Sequence, residues 1–348
     1  MKRTVCFLSA RNLGDAVIHA DFVRALARYD YADKYVVWTF KAASFAFADI
    51  PNCELVFSDF PMGATRNAFF KSAGLGFLSA VRYIRSLHPD ETIELISDVR
   101  ERFAAKLLGA GLNRSLDWAE GHPFRRHSRM TRHHVRNWAT IQVSTDNLYA
   151  AFASGLQALV AEPNAQFSPG IDWPSLAIVA AQGGTIGIHP SASVPHKLWP
   201  DASWAELMVA IQTAYPGIRF VLFGATSERG ALESISARVQ ALPVEIVTGS
   251  LKDFKQRLGA VDVLIGLDSF SVHLAQSLQV PSVVLVGANN PRLFAPPGGK
   301  IVMNRGSCVY QPCNGKPQCQ GTDFEYVCMR SIGPGQVLQR LQEPGPGV

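Results

Sequence analysis

The stretch Val5-Cys-Phe-Leu-Ser-Ala-Arg-Asn-Leu-Gly-Asp15, running on into Ala16 to Arg28, decides the fold class. Val5 to Leu8 is a short apolar run without polar alternation, as expected of a strand buried on both faces, whereas apolar residues from Ala16 onward recur at helical spacing. Gly14 permits the tight turn between them, and Asp15 falls where a helix N-cap is expected, with the helix beginning near Ala16. A buried strand leading directly into a helix is half of a βα unit.

The same alternation spreads outward. Tyr35 to Trp38, Glu54 to Phe57 and Thr92 to Ile96 read as short strands, with helices over Leu75 to Leu87, Glu101 to Leu108 and Asn147 to Ala161. After Pro163, Pro169, Gly170 and Pro174 punctuate the chain, a second series follows, with strands near Thr185 to Ile188, Arg219 to Phe223, Glu245 to Val247, Val263 to Ile265 and Ser282 to Val286. The expected organisation is α/β: one Rossmann-like domain over 1–165, a linker over 166–178, a second over 179–333, and a C-terminal helix and tail over 334–348. Two cores also suit the length, since 348 residues exceed what one core usually supports.

Composition narrows the function. Hydrophobic residues are 47% and charged residues 18%, which leaves no basis for extended disorder. No apolar run approaches the ~20 residues that cross a bilayer. Arg11 and Asp15 interrupt the first apolar run before a signal-peptide core is complete, so the expected location is cytoplasmic, with at most peripheral membrane contact. The net charge of +5 favours an anionic partner. There is no Gly-x-Gly-x-x-Gly after the first strand and no Gly-x-x-x-x-Gly-Lys-Ser/Thr anywhere, which argues against dehydrogenases and P-loop NTPases.

Ligands of parallel sheets bind beyond the carboxyl ends of strands, so four strand-end loops are the candidate sites. In the first, Asp15 is a helix cap or a base. The second, His189-Pro-Ser-Ala-Ser-Val-Pro-His-Lys-Leu-Trp-Pro-Asp201, holds Lys197, able to neutralise a leaving phosphate, and Trp199-Pro200, which reads as an anchor for the next helix. The third carries Glu228, either a ribose ligand or a first-turn helix acid. The fourth, Ile265-Gly-Leu-Asp-Ser-Phe-Ser-Val-His273, opens a helix and offers backbone N–H groups to an anion.

The ordered set Arg-x-Leu-Gly-Asp, Lys-x-Trp-Pro, Phe-Gly with a following Glu, and Asp-Ser-x-x-x-His-Leu-Ala resembles glycosyltransferase family 9, the ADP-heptose:lipopolysaccharide heptosyltransferases, as does the terminal Cys328-Met-Arg-Ser-Ile332. The resemblance implies a GT-B architecture, two Rossmann-like domains with mainly parallel sheets facing across a cleft. It implies inverting, metal-independent transfer of a heptose from ADP-heptose to a hydroxyl of a lipopolysaccharide-core, other glycan or protein acceptor, at the inner face of the inner membrane.

By the same resemblance Asp15 is the catalytic base and Lys197 the donor-phosphate lysine. Gly14, Ser191, Gly224, Glu228, Asp268, Ser269, Phe270, Ser271 and His273 fall in donor-binding positions. Phe270 stands where the family commonly has glycine. Arg11, with Arg125, Arg126, Arg129 and Arg132 of the basic segment between His122 and Arg136, is the candidate acceptor contact, suited to an anionic glycan or lipid-linked acceptor. A nucleic-acid partner is not expected, because that segment has few aromatics. Other readings of the architecture are a non-hydrolysing sugar-nucleotide epimerase and a non-catalytic sugar-nucleotide binder.

Cys6 and Cys53 lie in strand-like runs and read as core. Cys308, Cys313, Cys319 and Cys328 are spaced Cys-x4-Cys-x5-Cys-x8-Cys, looser than a zinc ribbon. Similar groups in family relatives point to structural zinc or iron; buried free thiols are the alternative.

Overall fold

A computed structural model describes residues 3–58, 74–96, 99–118, 138–143 and 147–345. It divides into two compact units, Met1–Ser168 and Pro169–Val348. Among the described residues, no helix is long and apolar enough to cross a membrane.

The first unit is built on six strands: β1 (Thr4–Ser9), β2 (Lys34–Thr39), β3 (Cys53–Phe57), β4 (Glu91–Glu94), β5 (Leu112–Trp118) and β6 (Ala139–Val143). All pair in parallel in the order β3-β2-β1-β4-β5-β6. Every residue of β1 is buried, as its uninterrupted apolar run predicts for a central parallel strand. Helices α1 (Leu13–Arg28), α2 (Ser44–Phe47), α3 (Gly74–Ser86), α4 (Val99–Leu108) and α5 (Leu148–Val160) connect the strands. On one side, Cys6, Leu8, Val36 and Trp38 pack with Ile84 of α3 and Ala105 and Leu108 of α4. A second aromatic group joins Phe22 of α1, Phe152 of α5 and Phe167, with ring centroids 5.1 to 6.1 Å apart.

Buried Glu91, at the start of β4, binds Arg3 at 2.5 Å, the Tyr31 hydroxyl at 2.9 Å, and Arg114. These groups compensate the desolvation of its carboxylate. They close the end of the sheet opposite the strand-end loops.

The second unit repeats the plan with β7 (Thr185–His189), β8 (Arg219–Gly224), β9 (Val244–Thr248), β10 (Val263–Leu267), β11 (Ser282–Leu285) and β12 (Gly299–Val302). Their order, β12-β11-β10-β7-β8-β9, is that of the first sheet read from the other edge. Its helices are α6 (Leu176–Ala181), α7 (Asp201–Ala214), α8 (Arg229–Ala237), α9 (Leu251–Leu258), α10 (Phe270–Ser277), α11 (Pro291–Phe294), α12 (Val327–Arg330) and α13 (Pro334–Gln342). Trp204, Leu207, Met208 and Ile211 of α7 pack with Val337 and Leu341 of α13 and the β-strand residues Ile186, Ile188 and Ile265.

Trp199 is the anchor its position suggests. Its ring stands edge-on to Trp204 at 4.8 Å, and its indole N–H donates to the Ile332 carbonyl at 2.9 Å. Lys300, a cation within β12, is 1% exposed. Its ammonium donates to the Leu341 carbonyl at 3.3 Å and to that of Glu343, and lies 3.6 Å from the centre of the Trp173 ring. Burial lowers its pKa to about 8, helped by Arg340 and opposed by Glu343.

Both sheets therefore have a strand order that reverses direction once, between β1 and β4 and between β7 and β10. Crevices at such reversals are where open α/β sheets receive ligands.

Candidate functional site

In the second unit the reversal brings the loops after β7 and β10 together. The Lys197 ammonium donates to the Asp268 backbone carbonyl at 2.7 Å and to Asp268 Oδ2 at 3.0 Å, and Asn289 Nδ2 donates to that same Oδ2 at 2.5 Å. Two of the three ammonium donors are thus engaged within the protein, and the sharing with Asn289 fixes the carboxylate. Asn289 follows β11 and carries no signal in the sequence. It is recruited by a contact across 21 residues.

Ser269 is the N-cap residue of α10, yet its hydroxyl does not cap the helix. It lies 3.4 Å from His189 Nδ1 and 3.1 Å from Ser271 Oγ, while Ser271 Oγ lies 3.0 Å from the same nitrogen. The first turn of α10 thus keeps N–H groups uncapped by that side chain, the arrangement that accepts anions. Phe270 is half-buried; its ring and that of Phe254 stand 5.1 Å apart, each 5.5 Å from the His189 ring. The Phe270 ring is therefore packed within an aromatic group of this chain's own. Burial lowers the pKa of His189 to about 4. For His273, burial likewise gives about 4, with Asp268 opposing and Lys197 reinforcing the shift. Ser191 is buried in the loop after β7.

Glu228 takes its local option. Its Oε2 accepts the Ala225 N–H at 2.7 Å, closing the short turn Thr226–Glu228 that precedes α8. Gly224 makes room for this, since a Cβ there would lie 3.0 Å from Glu228 Oε2 and from Leu232 Cδ1.

In the first unit the cap differs from the sequence expectation. The helix begins at Leu13, so Asn12, not Asp15, is the N-cap: its Oδ1 accepts the Asp15 N–H at 2.9 Å. Leu13 and Gly14 adopt helical geometry, which moves Asp15 into the first turn. Freed from capping, Asp15 Oδ2 accepts from Asn12 Nδ2 at 2.8 Å and lies 3.9 Å from Arg11 Nε. Burial raises the Asp15 pKa, while Arg11 and the Asn12 hydrogen bond pull it down. On the neighbouring strand of the reversal, buried Glu94 accepts from Arg102 Nε at 3.1 Å and from the Ile96 N–H at 2.9 Å. Arg125, Arg126, Arg129 and Arg132 lie outside the described residues.

Cys6 is buried in β1, and Cys53 is partly buried at the start of β3. The other four cysteines line one small cavity with His196, Gly287, Ala288, Tyr310, Gln311 and Tyr326 among its walls. All are free thiols. Burial raises the Cys328 pKa, and the sulfurs of Cys308, Cys313 and Cys319 raise it further. As placed, no three His, Cys, Asp or Glu side chains among the described residues form a ready ligand set. His196 Nε2 is buried on this wall with no hydrogen-bond partner among the described residues, as is Gln311 Oε1. Burial lowers the His196 pKa, and Lys197 adds to the effect.

Two parallel Rossmann-type sheets with polar groups gathered at each reversal define a two-domain α/β protein of the GT-B class. The sequence matches the profile of glycosyltransferase family 9 (heptosyltransferase) over residues 103–322, and the chain belongs to that family of glycosyltransferases. The fold is shared with a glycosyl transferase family 9 structure from Veillonella parvula DSM 2008, at 17% identity and a TM-score of 0.66, covering 97% of this chain and 95% of that one. E. coli heptosyltransferase WaaC with ADP aligns at 14% identity and a TM-score of 0.63, covering 97% and 96% of the two chains. E. coli ADP-heptose lps heptosyltransferase II aligns at 17% identity and 0.60, covering 97% of each. No curated protein sequence matches the chain.

Proposed function

We propose that this glycosyltransferase moves a heptose from ADP-heptose onto a hydroxyl of a lipopolysaccharide-core or similar anionic acceptor, with inversion at the anomeric carbon. The observation that carries the donor side is the Lys197–Asp268–Asn289 group beside the uncapped start of α10. A cation with one donor left over, next to helix N–H groups, suits the negative charge that develops on a departing diphosphate. Ser191, Ser269, Ser271 and His273 would surround the phosphates. Gly224 and Glu228 would meet the nucleoside if Glu228 exchanged its bond to the Ala225 N–H for a ribose hydroxyl. The structure of WaaC with ADP supports an adenine nucleotide as the first donor to try.

Asp15 is the proposed base. Burial raises its pKa, which makes the carboxylate a better proton acceptor than an ordinary aspartate. Gly14 would let the acceptor or donor approach the backbone beside it, and Arg11 with the four arginines between 125 and 132 would meet acceptor phosphates or carboxylates. In the proposed reaction Asp15 would take the proton of the attacking acceptor hydroxyl, and Lys197 would neutralise the charge that develops on the departing diphosphate. The protein would work in contact with the cytoplasmic face of a membrane.

For the cysteine cavity, the donor set suits a structural zinc or iron ion: four cysteines and an orphaned imidazole nitrogen line one cavity. Cys308, Cys313, Cys319 and Cys328 would hold it after rotating inward. Bound there, the ion would cross-link the segment from Cys308 to Cys328 to itself, against Gly287 and Ala288 of the cavity lining.

Titration calorimetry with ADP, UDP, GDP and dTDP tests the donor side. ADP should bind, and Lys197→Met should weaken it about tenfold or more, the scale of a charge-assisted hydrogen bond. Equal ADP affinity in the variant would remove Lys197 from the donor site.

A further inference from the structure

His196 sits in the short turn Pro195–Lys197, closed by the Lys197 N–H to the Val194 carbonyl at 3.2 Å and the Leu198 N–H to the Pro195 carbonyl at 3.0 Å. Its side chain is 7% exposed, and its Nε2 has no partner among the described residues. The ring forms part of the cysteine cavity wall and lies 6.3 Å from the Tyr326 ring. The next residue, Lys197, is the one that grips Asp268.

A second part of the lining leads to the same carboxylate. Gly287 and Ala288 line the cavity and are tied to the cysteine segment: Gln311 Nε2 donates to the Gly287 carbonyl at 2.8 Å, and the Asn314 N–H to the Ala288 carbonyl at 2.9 Å. Asn289, the other donor to Asp268 Oδ2, comes immediately after. Both loops that set the Asp268 carboxylate therefore rest on the cavity. Its filling bears on the donor site through residues adjacent in the chain.

A buried imidazole N–H requires an acceptor. Thiols are weak acceptors, whereas a metal-bound thiolate is a strong one, and hydrogen bonds from outer groups to metal-bound ligands orient those ligands. We propose that His196 is a positioning residue whose Nε2–H donates to a metal-bound thiolate of the Cys308, Cys313, Cys319 and Cys328 set, and by that bond holds Lys197 in place at the donor site. The inference rests on the metal reading of the cavity and on the donor reading of Lys197. A water joining Nε2 to Gln311 Oε1 is the competing arrangement, and it needs no cation.

The test uses the full chain loaded with one equivalent of cobalt(II), whose thiolate charge-transfer band reports hydrogen bonds to sulfur. His196→Phe removes the donor at similar size, and His196→Gln keeps an amide N–H; His196→Leu replaces the first if it fails to fold. His196→Phe is expected to bind cobalt stoichiometrically, move the band to lower energy and raise the ADP dissociation constant about fivefold to tenfold, the scale of one hydrogen bond. His196→Gln should restore both.

An unmoved band, no thiolate band even in the wild type, or equal effects of the phenylalanine and glutamine variants would overturn the hydrogen bond. Loss of cobalt in His196→Phe would also overturn it, by making the imidazole a ligand. A shifted band with unchanged ADP affinity would overturn the link to Lys197. Wild-type protein that binds no ADP would instead sink the donor reading, while the band still decides the hydrogen bond.

Discussion

Asp15→Asn separates a catalytic base from a first-turn helix acid, because the two roles predict opposite changes in two measurements. The substitution keeps the volume, and the amide oxygen can still accept from Asn12 Nδ2, now 2.8 Å from the carboxylate. What disappears is the negative charge. The contact with Arg11 at 3.9 Å, in which the arginine side chain is 29% exposed, contributes at most a few tenths of a kcal/mol. The charge in the first helical turn contributes roughly 0.3–1 kcal/mol through the helix dipole.

Against these losses stands the relief from burying a carboxylate. Its folded pKa is raised above 3.8, so its contribution to stability is fully present below that value and is eroded as pH rises through the folded pKa. The erosion grows as pH rises from about 4 toward neutrality, and the amide avoids it. The variant should therefore equal or exceed the wild type in melting temperature at pH 7, with the advantage shrinking toward pH 4. Loss of a general base should meanwhile lower kcat about 100- to 10,000-fold, or ~3–5 kcal/mol of activation free energy. ADP binding by calorimetry, kcat in a transfer assay and melting scans from pH 4 to 7 make the comparison. A variant with wild-type kcat and a lower melting temperature at pH 7 would leave Asp15 as a helix residue only.

Two further outcomes follow from the packing. His19, His189 and His273 have pKa values lowered by burial to about 3, 4 and 4, so in each case the unfolded chain binds a proton below pH 6.5 that the fold does not. Their stabilisation is present above pH 6.5 and lost as pH falls toward those values, at up to ~1.4 kcal/mol per pH unit for each residue. Urea unfolding at pH 7, 6 and 5 should show this, and His189→Gln should flatten the dependence in the second unit; an identical slope would refute the assignment. Gly287→Ala would place a Cβ 2.5 Å from Met329 Sδ and 3.0 Å from Cys328 Sγ. It should cost about 1–3 kcal/mol in urea unfolding and reduce cobalt uptake; unchanged stability would show that Met329 can yield.

The sequence made the central strands readable because they are apolar on both faces. It hid those at the margins. In β5, Leu112-Asn-Arg-Ser-Leu-Asp-Trp118 mixes polar and apolar residues, and β6 alternates between part-buried and exposed positions at a sheet edge, so neither shows a continuous apolar run. In β12, buried Lys300 breaks the pattern because carbonyls and an indole ring satisfy its charge. Family motifs marked Asp15, Lys197 and Asp268 with their order in the chain. Their partners, Asn12 and Asn289, were not legible, since a lone asparagine gains its meaning only from what the fold sets beside it. The cysteines looked scattered by spacing alone. Tight turns between 303 and 326 gather them where no paired Cys-x2-Cys would have announced it.

Lys300 has a mechanical consequence. Trp173, near the start of the second unit, and Glu343, near its end, both meet one ammonium. Tension applied between the two ends of that unit would load this ammonium together with the Trp173 indole N–H bond to the Gly298 carbonyl at 3.1 Å. The polypeptide is fastened like a strap whose ends share one buckle.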